Sequence, residues 1–239
     1  MCVELAPMKS ALIDPALKSL SWLAALPAAG RKRLLQHAVT HSLAAGTVLF
    51  EQGSVPTFQH MVLAGSVHLF GRSNDGREVL IEIVRPGDLV IPAAVVTSSP
   101  YLMQARVLEP SRLLLIEADA FRAALQVEPV LAQAMIASLA GQFRRMVRQI
   151  KNLKLRSSTQ RVGSYILALS REQESSNRVV LPYEKNLIAS ELGMTRESFS
   201  RALSALQNDG IRVQDDTIFI VDAERLAVVV GVDPLIDAD

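Results

Sequence analysis

Short apolar runs separated by glycine, proline and polar turn residues fill the first half of the chain. Residues 47–50, 61–64, 67–70 and 79–84 are such runs, and six of the twelve glycines fall between Gly46 and Gly87. Runs this short, bounded by turn residues, predict the strands of an antiparallel sandwich or roll. Asn74-Asp75-Gly76 separates two of them and predicts a hairpin, because Asp and Gly tolerate positive φ. Pro86-Gly87-Asp88 predicts another turn, after which residues 102–108 and 112–117 resume the strand pattern. Ahead of this region, residues 12–40 read as short helices broken at Pro27 and Gly30.

The period changes near Pro129. Ile136, Leu139, Phe143, Met146, Ile150 and Leu153 alternate spacings of three and four, which is the a/d seam of a helix packed lengthwise on another helix. A helix lying on the core of its own domain would show the same stripe. The length of the segment and its charged outer face favour a dimer seam. Beyond it come further helical patterns and then two strand-like segments, 211–214 and 217–221, around Asp215-Asp216. The expected architecture is α+β: a β-roll with N-terminal helices over residues 1–127, a dimerisation helix over 128–156, and a C-terminal domain over 157–239.

Composition narrows this picture. Apolar residues make up 49% of the chain, enough for well-packed cores, and the net charge of +1 favours no partner class. The single cysteine, Cys2, excludes an internal disulfide and a four-cysteine iron–sulfur cluster supplied by one chain. No apolar run approaches the roughly 18 residues of a membrane helix. The first ten residues lack the basic-then-apolar layout of a signal peptide, so a cytoplasmic protein without membrane contact is expected.

Residues 185–204 carry the chemistry. A first helix ends near Leu192 with Leu187, Ile188 and Leu192 facing inward, and Ala189 is small where a crossing helix must come close. Gly193 suits a left-handed helix end, Thr195 can cap a second helix, and Glu197 favours its N-terminal dipole. Helix, glycine turn and helix make a helix-turn-helix. At about 100° per residue, Phe199, Ala202, Leu203 and Leu206 share one arc of the second helix. Glu197, Ser200, Arg201 and Ser204 share the other, with Arg196 at the border. Such N-terminal polar residues meet base edges in the major groove. Arg201 can fork onto guanine and Glu197 can accept from cytosine. Ser200 is small enough for close approach, and Arg196 suits a phosphate. A Glu–Arg pair four apart usually does no more than support an exposed helix. The glycine turn, the cap and the two strands after it tip the reading towards recognition.

Charge complicates that reading. From residue 157 to 230 there are eight Lys/Arg and ten Asp/Glu, so the domain is slightly acidic. Overlapping its start, residues 141–161 hold seven basic residues (Arg144, Arg145, Arg148, Lys151, Lys154, Arg156, Arg161) and no acidic one. A lone domain should bind DNA weakly, so affinity requires two copies and local placement of the arginines.

The motif Leu187-Ile-Ala-Ser-Glu-Leu-Gly-Met-Thr-Arg-Glu-Ser-Phe-Ser-Arg-Ala-Leu203 resembles the helix-turn-helix of the Crp/Fnr family. Gly46-Thr-Val-Leu-Phe-Glu-Gln-Gly53, Val62-Leu-Ala-Gly-Ser-Val67 and Pro86-Gly-Asp88 are similar to that family's sensor β-roll. The resemblance spans about residues 20–228. It implies a cyclic-nucleotide-binding-type roll, a dimerisation helix and a winged helix, with double-stranded DNA, a second copy of the chain and RNA polymerase as partners. It also implies that Glu197, Ser200 and Arg201 read a TGA-containing, TTGAT-like half-site, with Thr195 and Arg196 beside them.

The departures bear on the effector. Family members that bind cyclic nucleotides carry Gly-Glu-Leu and Arg-Ser/Thr-Ala anchors, whereas here Pro86-Gly-Asp-Leu-Val-Ile-Pro-Ala-Ala-Val95 is followed by Tyr101-Leu-Met-Gln-Ala105, with no glutamate or arginine where those anchors should be. A buried phosphate without a cation is costly, which speaks against cyclic AMP. No histidine follows the Gly-Asp turn as in the carbon-monoxide-sensing haem branch. The run Leu181-Pro-Tyr-Glu-Lys185 is similar to the denitrification branch, some of whose members sense nitric oxide through haem; His37, His41, His60 and His68 are the conventional haem-ligand candidates. Alternatives are a regulatory subunit acting through protein contacts and a DNA binder with no effector. No phosphate-binding glycine loop, metal-spaced His/Glu set or nucleophile elbow points to an enzyme.

Overall fold

The computed structural model describes Lys9, Ser10, Leu17 and residues 21–237. The readings made on Cys2, on the extreme N-terminus and on most of residues 12–20 lie outside these. In chain order the elements are β1 (Lys9–Ser10), α1 (Ser21–Ala25), α2 (Ala28–Leu35), β2 (Ala38–Leu43), β3 (Val48–Phe50), β4 (Phe58–Ala64), β5 (Val67–Arg72), β6 (Glu78–Val84) and β7 (Leu89–Val90). There follow α3 (Pro92–Thr97), β8 (Gln104–Arg106), β9 (Ser111–Glu117), α4 (Ala118–Val127), α5 (Pro129–Leu155) and α6 (Ser158–Glu172). The chain ends with β10 (Arg178–Val180), α7 (Lys185–Glu191), α8 (Arg196–Leu206), β11 (Ile211–Gln214), β12 (Thr217–Ile220), α9 (Ala223–Val230) and α10 (Pro234–Asp237). Two compact units result, one ending at Gln142 and the other beginning at Phe143, so α5 contributes to both.

In the first unit, two antiparallel sheets, β1-β2-β9-β4-β7 and β3-β8-β5-β6, make the β-roll. Successive residues of a strand face opposite ways, and here both faces are covered. Val62 and Leu113 point into the roll with Val67, Leu69 and Val107. Their neighbours Met61 and Leu114 point to the helices, meeting Leu34, Phe121 and Leu131. The predicted hairpin forms between β5 and β6, with Gly76 at φ +84°.

The N-terminal part differs from the helical reading of residues 12–40. Pro27 precedes α2, but α2 runs through Gly30, and residues 38–43 are a strand paired with β9. Gly30 serves close packing: a Cβ there would collide with the carboxylate of Glu128, which is ion-paired to Arg33. The missing side chain makes room for that pair, so this glycine does not end the helix.

The second unit packs α6, α7, α8 and α9 against the sheet β10-β12-β11 around Ile166, Ile188, Phe199, Leu206, Ile218 and Leu226. The sheet has three strands where the sequence suggested two. β10 comes before the helix-turn-helix in the chain and joins β12 from the far side.

Candidate nucleic-acid interface

α7 and α8 meet at a turn built on Gly193, whose φ is +64°. Its N–H donates to Ser190 O at 3.0 Å and the N–H of Met194 to Ala189 O at 2.9 Å, which closes α7. A Cβ on Gly193 would collide with Leu153, so space and conformation both call for glycine. Thr195 then caps α8: its hydroxyl accepts from the Ser198 N–H at 3.2 Å. The rear of α8 is sealed by Phe199, Ala202, Leu203 and Leu206, all buried. Thr195, Arg196, Glu197, Ser200, Arg201 and Ser204 are exposed. The structure thus brings the five sequence-predicted contact residues onto one free face at the N-terminal half of α8.

The charges on this face are not spent on each other. Among the described residues Glu197 and Arg201 form no ion pair; the Arg201 guanidinium instead donates to the hydroxyl of Ser198 at 3.2 Å. The Glu197 carboxyl is held below the ordinary range by its own backbone N–H, then by the Thr195 hydroxyl and by Arg196 and Arg201. It stays an anionic acceptor at neutral pH. Beside α8 lies a wing, β11 and β12, joined at Asp215-Asp216 with Asp215 at φ +52°. Lys185, at the start of α7, donates to Asp215 O at 2.8 Å and ties the wing tip to the motif. The sequence singled out neither this tie nor its role, because the two ends are 30 residues apart.

Along α5, Ile136, Phe143, Met146, Ile150 and Leu153 are exposed, and Ile136 keeps 67% of its surface open. Leu139 differs: it packs partly against the core of the first unit. Leu153 also touches the Gly193 turn.

Inside the roll, the segment after Pro86-Gly87-Asp88 has Ile91 in the left-handed region at φ 40°, then α3. Tyr101 is buried and stacks on Phe50 at 3.6 Å between ring centroids; Phe50 lies 5.6 Å from His60. Burial lowers His60 to about 4 and raises Tyr101 to about 12, so both are neutral near pH 7. His41 and His68 are also buried, and His68 shares a hydrogen bond with Ser66 Oγ at 2.9 Å. His37 is exposed and lies 3.4 Å from Glu117. Arg106, on β8, is bound to Glu78 at 2.7 Å and lies over the Phe70 ring.

Comparison with known proteins matches both units. Residues 40–128 fit the model of the cyclic nucleotide-binding domain, and residues 160–229 fit that of the Crp-like helix-turn-helix domain. The chain belongs to the Crp/Fnr family. This Crp/Fnr protein is therefore a DNA-binding transcription regulator with an effector-binding-type domain. It is 26% identical over 187 residues to the CRP-like cAMP-activated global transcriptional regulator of Mycobacterium tuberculosis, covering 76% of this chain and 84% of the relative. A regulatory protein of known structure from Silicibacter pomeroyi is 29% identical, with a TM-score of 0.58 over 92% of this chain and all of that one. FixK2 from Bradyrhizobium japonicum shares the fold, with a TM-score of 0.68 at 21% identity over 80% of this chain and 96% of its own. Among the described residues, no single helix is long and apolar enough to cross a membrane.

Proposed function

We propose that this regulator binds DNA as a homodimer, placing the N-terminal half of α8 of each copy in the major groove of a two-fold symmetric, TGA-containing site. The observation that carries the proposal is the exposed α8 face, whose ionised Glu197 and unpaired Arg201 are directed away from a sealed apolar rear. Arg201 reads guanine, Glu197 accepts from cytosine N4, Ser200 approaches a base or a thymine methyl, and Thr195 and Arg196 hold phosphate. The two copies join through the apolar stripe of α5, supported by five large side chains, Ile136, Phe143, Met146, Ile150 and Leu153, that stay substantially exposed in the single chain. Residues 1–127 act as sensor, 128–156 as dimer helix and 157–239 as DNA-binding domain, in the cytoplasm and in contact with RNA polymerase. The purified dimer should prefer a palindrome with TTGAT-like half-sites to a scrambled duplex at moderate salt. Equal binding to both would overturn the reading.

The effector of this chain is not cyclic AMP in our reading, although the mycobacterial relative is cAMP-activated. Tyr101 is buried and stacked on Phe50, and Arg106 is already engaged by Glu78. An anionic phosphate would lose its hydration there without gaining a free cation. Haem fits these residues poorly too. The neutral His60 imidazole is a chemically competent donor, but it is buried, with ring centroids 5.6 Å from Phe50 and 6.4 Å from Phe58. Titration with haemin decides this: no Soret shift is expected.

A further inference from the structure

Away from the recognition face, the second unit contains a cavity of about 200 Å³ bounded by the end of α5, by α6, by the end of α7 and by α10. Three arginines reach it, Arg148 from α5 and Arg161 and Arg171 from α6. None of the three is in an ion pair among the described residues. The Nε of Arg161 is buried without a hydrogen-bond partner among those residues, and a terminal nitrogen reaches Ser158 Oγ only at 3.4 Å. Burial lowers the pKa of this guanidinium, a sign that its charge is poorly solvated.

Two carboxylates also line the cavity. Asp237 is already taken: Arg156 grips both of its oxygens at 2.7 and 2.5 Å. Glu191 has an interaction of its own and could offset at most one of the three arginines. The rest of the wall includes Leu153, Ala168, Leu192 and Ile236, which are apolar. A net positive, partly desolvated pocket with apolar walls calls for an amphipathic anion.

We propose that this cavity binds a small organic anion, a carboxylate or phosphate carried on a short apolar or aromatic body, and that its occupancy adjusts DNA affinity. The arginines hold the acid group by forked, charge-assisted hydrogen bonds, and the body lies against Leu192 and Ile236. Coupling follows from shared residues. Leu153 lines the cavity and also presses on the Gly193 turn, while Glu191 ends α7 and Leu192 caps it. An occupant therefore bears on the residues that set the angle between the two helices of the motif. The site lies in the DNA-binding unit, so it adds an input independent of the β-roll. The coupling, though not the site, rests on the DNA-binding reading above.

Phenyl phosphate, inorganic phosphate and benzyl alcohol, each added to the full-length protein at matched ionic strength, test both halves by calorimetry and thermal melting. Phenyl phosphate should bind saturably and raise Tm more than inorganic phosphate, with no response to benzyl alcohol. Arg148→Gln and Arg171→Gln should each weaken its binding by at least tenfold. Ala168→Leu, at an exposed position on the wall, should reduce the response to phenyl phosphate more than that to phosphate. Shifts no larger than those of chloride, as when a second copy covers the cavity, overturn the site, and so do equal shifts in wild type and both arginine variants. Phenyl phosphate should also change the Kd for DNA at least threefold in wild type and not in Arg171→Gln. Calorimetric binding with an unchanged Kd overturns the coupling alone, and a protein that binds no DNA at all overturns the Proposed function while calorimetry still decides the site.

Discussion

Arg201 is where a base reader and an ordinary surface charge would behave differently. Its guanidinium is exposed, donates to the Ser198 hydroxyl and, among the described residues, forms no ion pair with Glu197. Arg201→Ala should cost about 1–3 kcal/mol and relax preference at one guanine, as read by binding to half-sites substituted base by base. An equal loss on every duplex would mean a phosphate contact. This face was legible in the sequence because α8 is short and its period alone sorts apolar from polar positions. His60 was not legible in the same way. Its strand position said nothing of the Phe50 and Phe58 rings around it, and burial lowers it from 6.5 to about 4. Between those values the unfolded chain binds a proton that the folded one refuses, so stability falls as pH drops from 6.5 towards 4. The full effect is on the order of 3 kcal/mol. His60→Phe should flatten that part of the pH profile, measured as the denaturant midpoint of wild type against variant.

At the scale of elements, the corner between α5 and α6 depends on α10. Arg156, at that corner, is buried and binds Asn152, Ser164, the carbonyl of Gly231 and both oxygens of Asp237. Burial by itself would raise the Asp237 carboxyl, but the hydrogen bonds from Arg156 and from the Asp233 N–H outweigh it and hold it below the usual range. A depressed carboxyl stabilises the fold above its unfolded pKa of about 3.9 and stops doing so as pH falls through the folded value. Asp237→Asn leaves Arg156 buried without its counter-ion and should destabilise the second unit by on the order of 3 kcal/mol. Melting followed at neutral pH would show it, and the variant should lose part of the wild type's acid sensitivity below pH 4. Only the fold reveals this pair, since its members lie 81 residues apart and each looks like a solvated charge. The extra strand β10 and the uninterrupted α2 were hidden for the same reason: pairing with β12 and packing on Glu128 are decided by distant partners.

For the whole molecule, the question is whether one chain suffices. The DNA-binding region carries eight basic against ten acidic residues between 157 and 230, so one copy lacks the electrostatic attraction for a tight complex. Ile150 is 45% exposed on the α5 stripe. Ile150→Glu should shift sedimentation from dimer to monomer and weaken binding to the full palindrome by at least a hundredfold, the advantage of linked half-sites. A single half-site should be bound about equally by variant and wild-type monomer. Unchanged sedimentation would remove α5 from the interface.

The sequence by itself determined the family, the α+β architecture and the helix-turn-helix with its exposed face. These are local periodicities, turns and caps, and each is settled by residues close together in the chain. Tertiary structure alone decided that Tyr101 stacks on Phe50, that Arg156 locks onto Asp237, and that Arg148, Arg161 and Arg171 converge on one cavity. The physical reason is desolvation. The chemistry of a charge or a ring depends on what surrounds it once water has been removed, and those surroundings come from segments far apart in the chain.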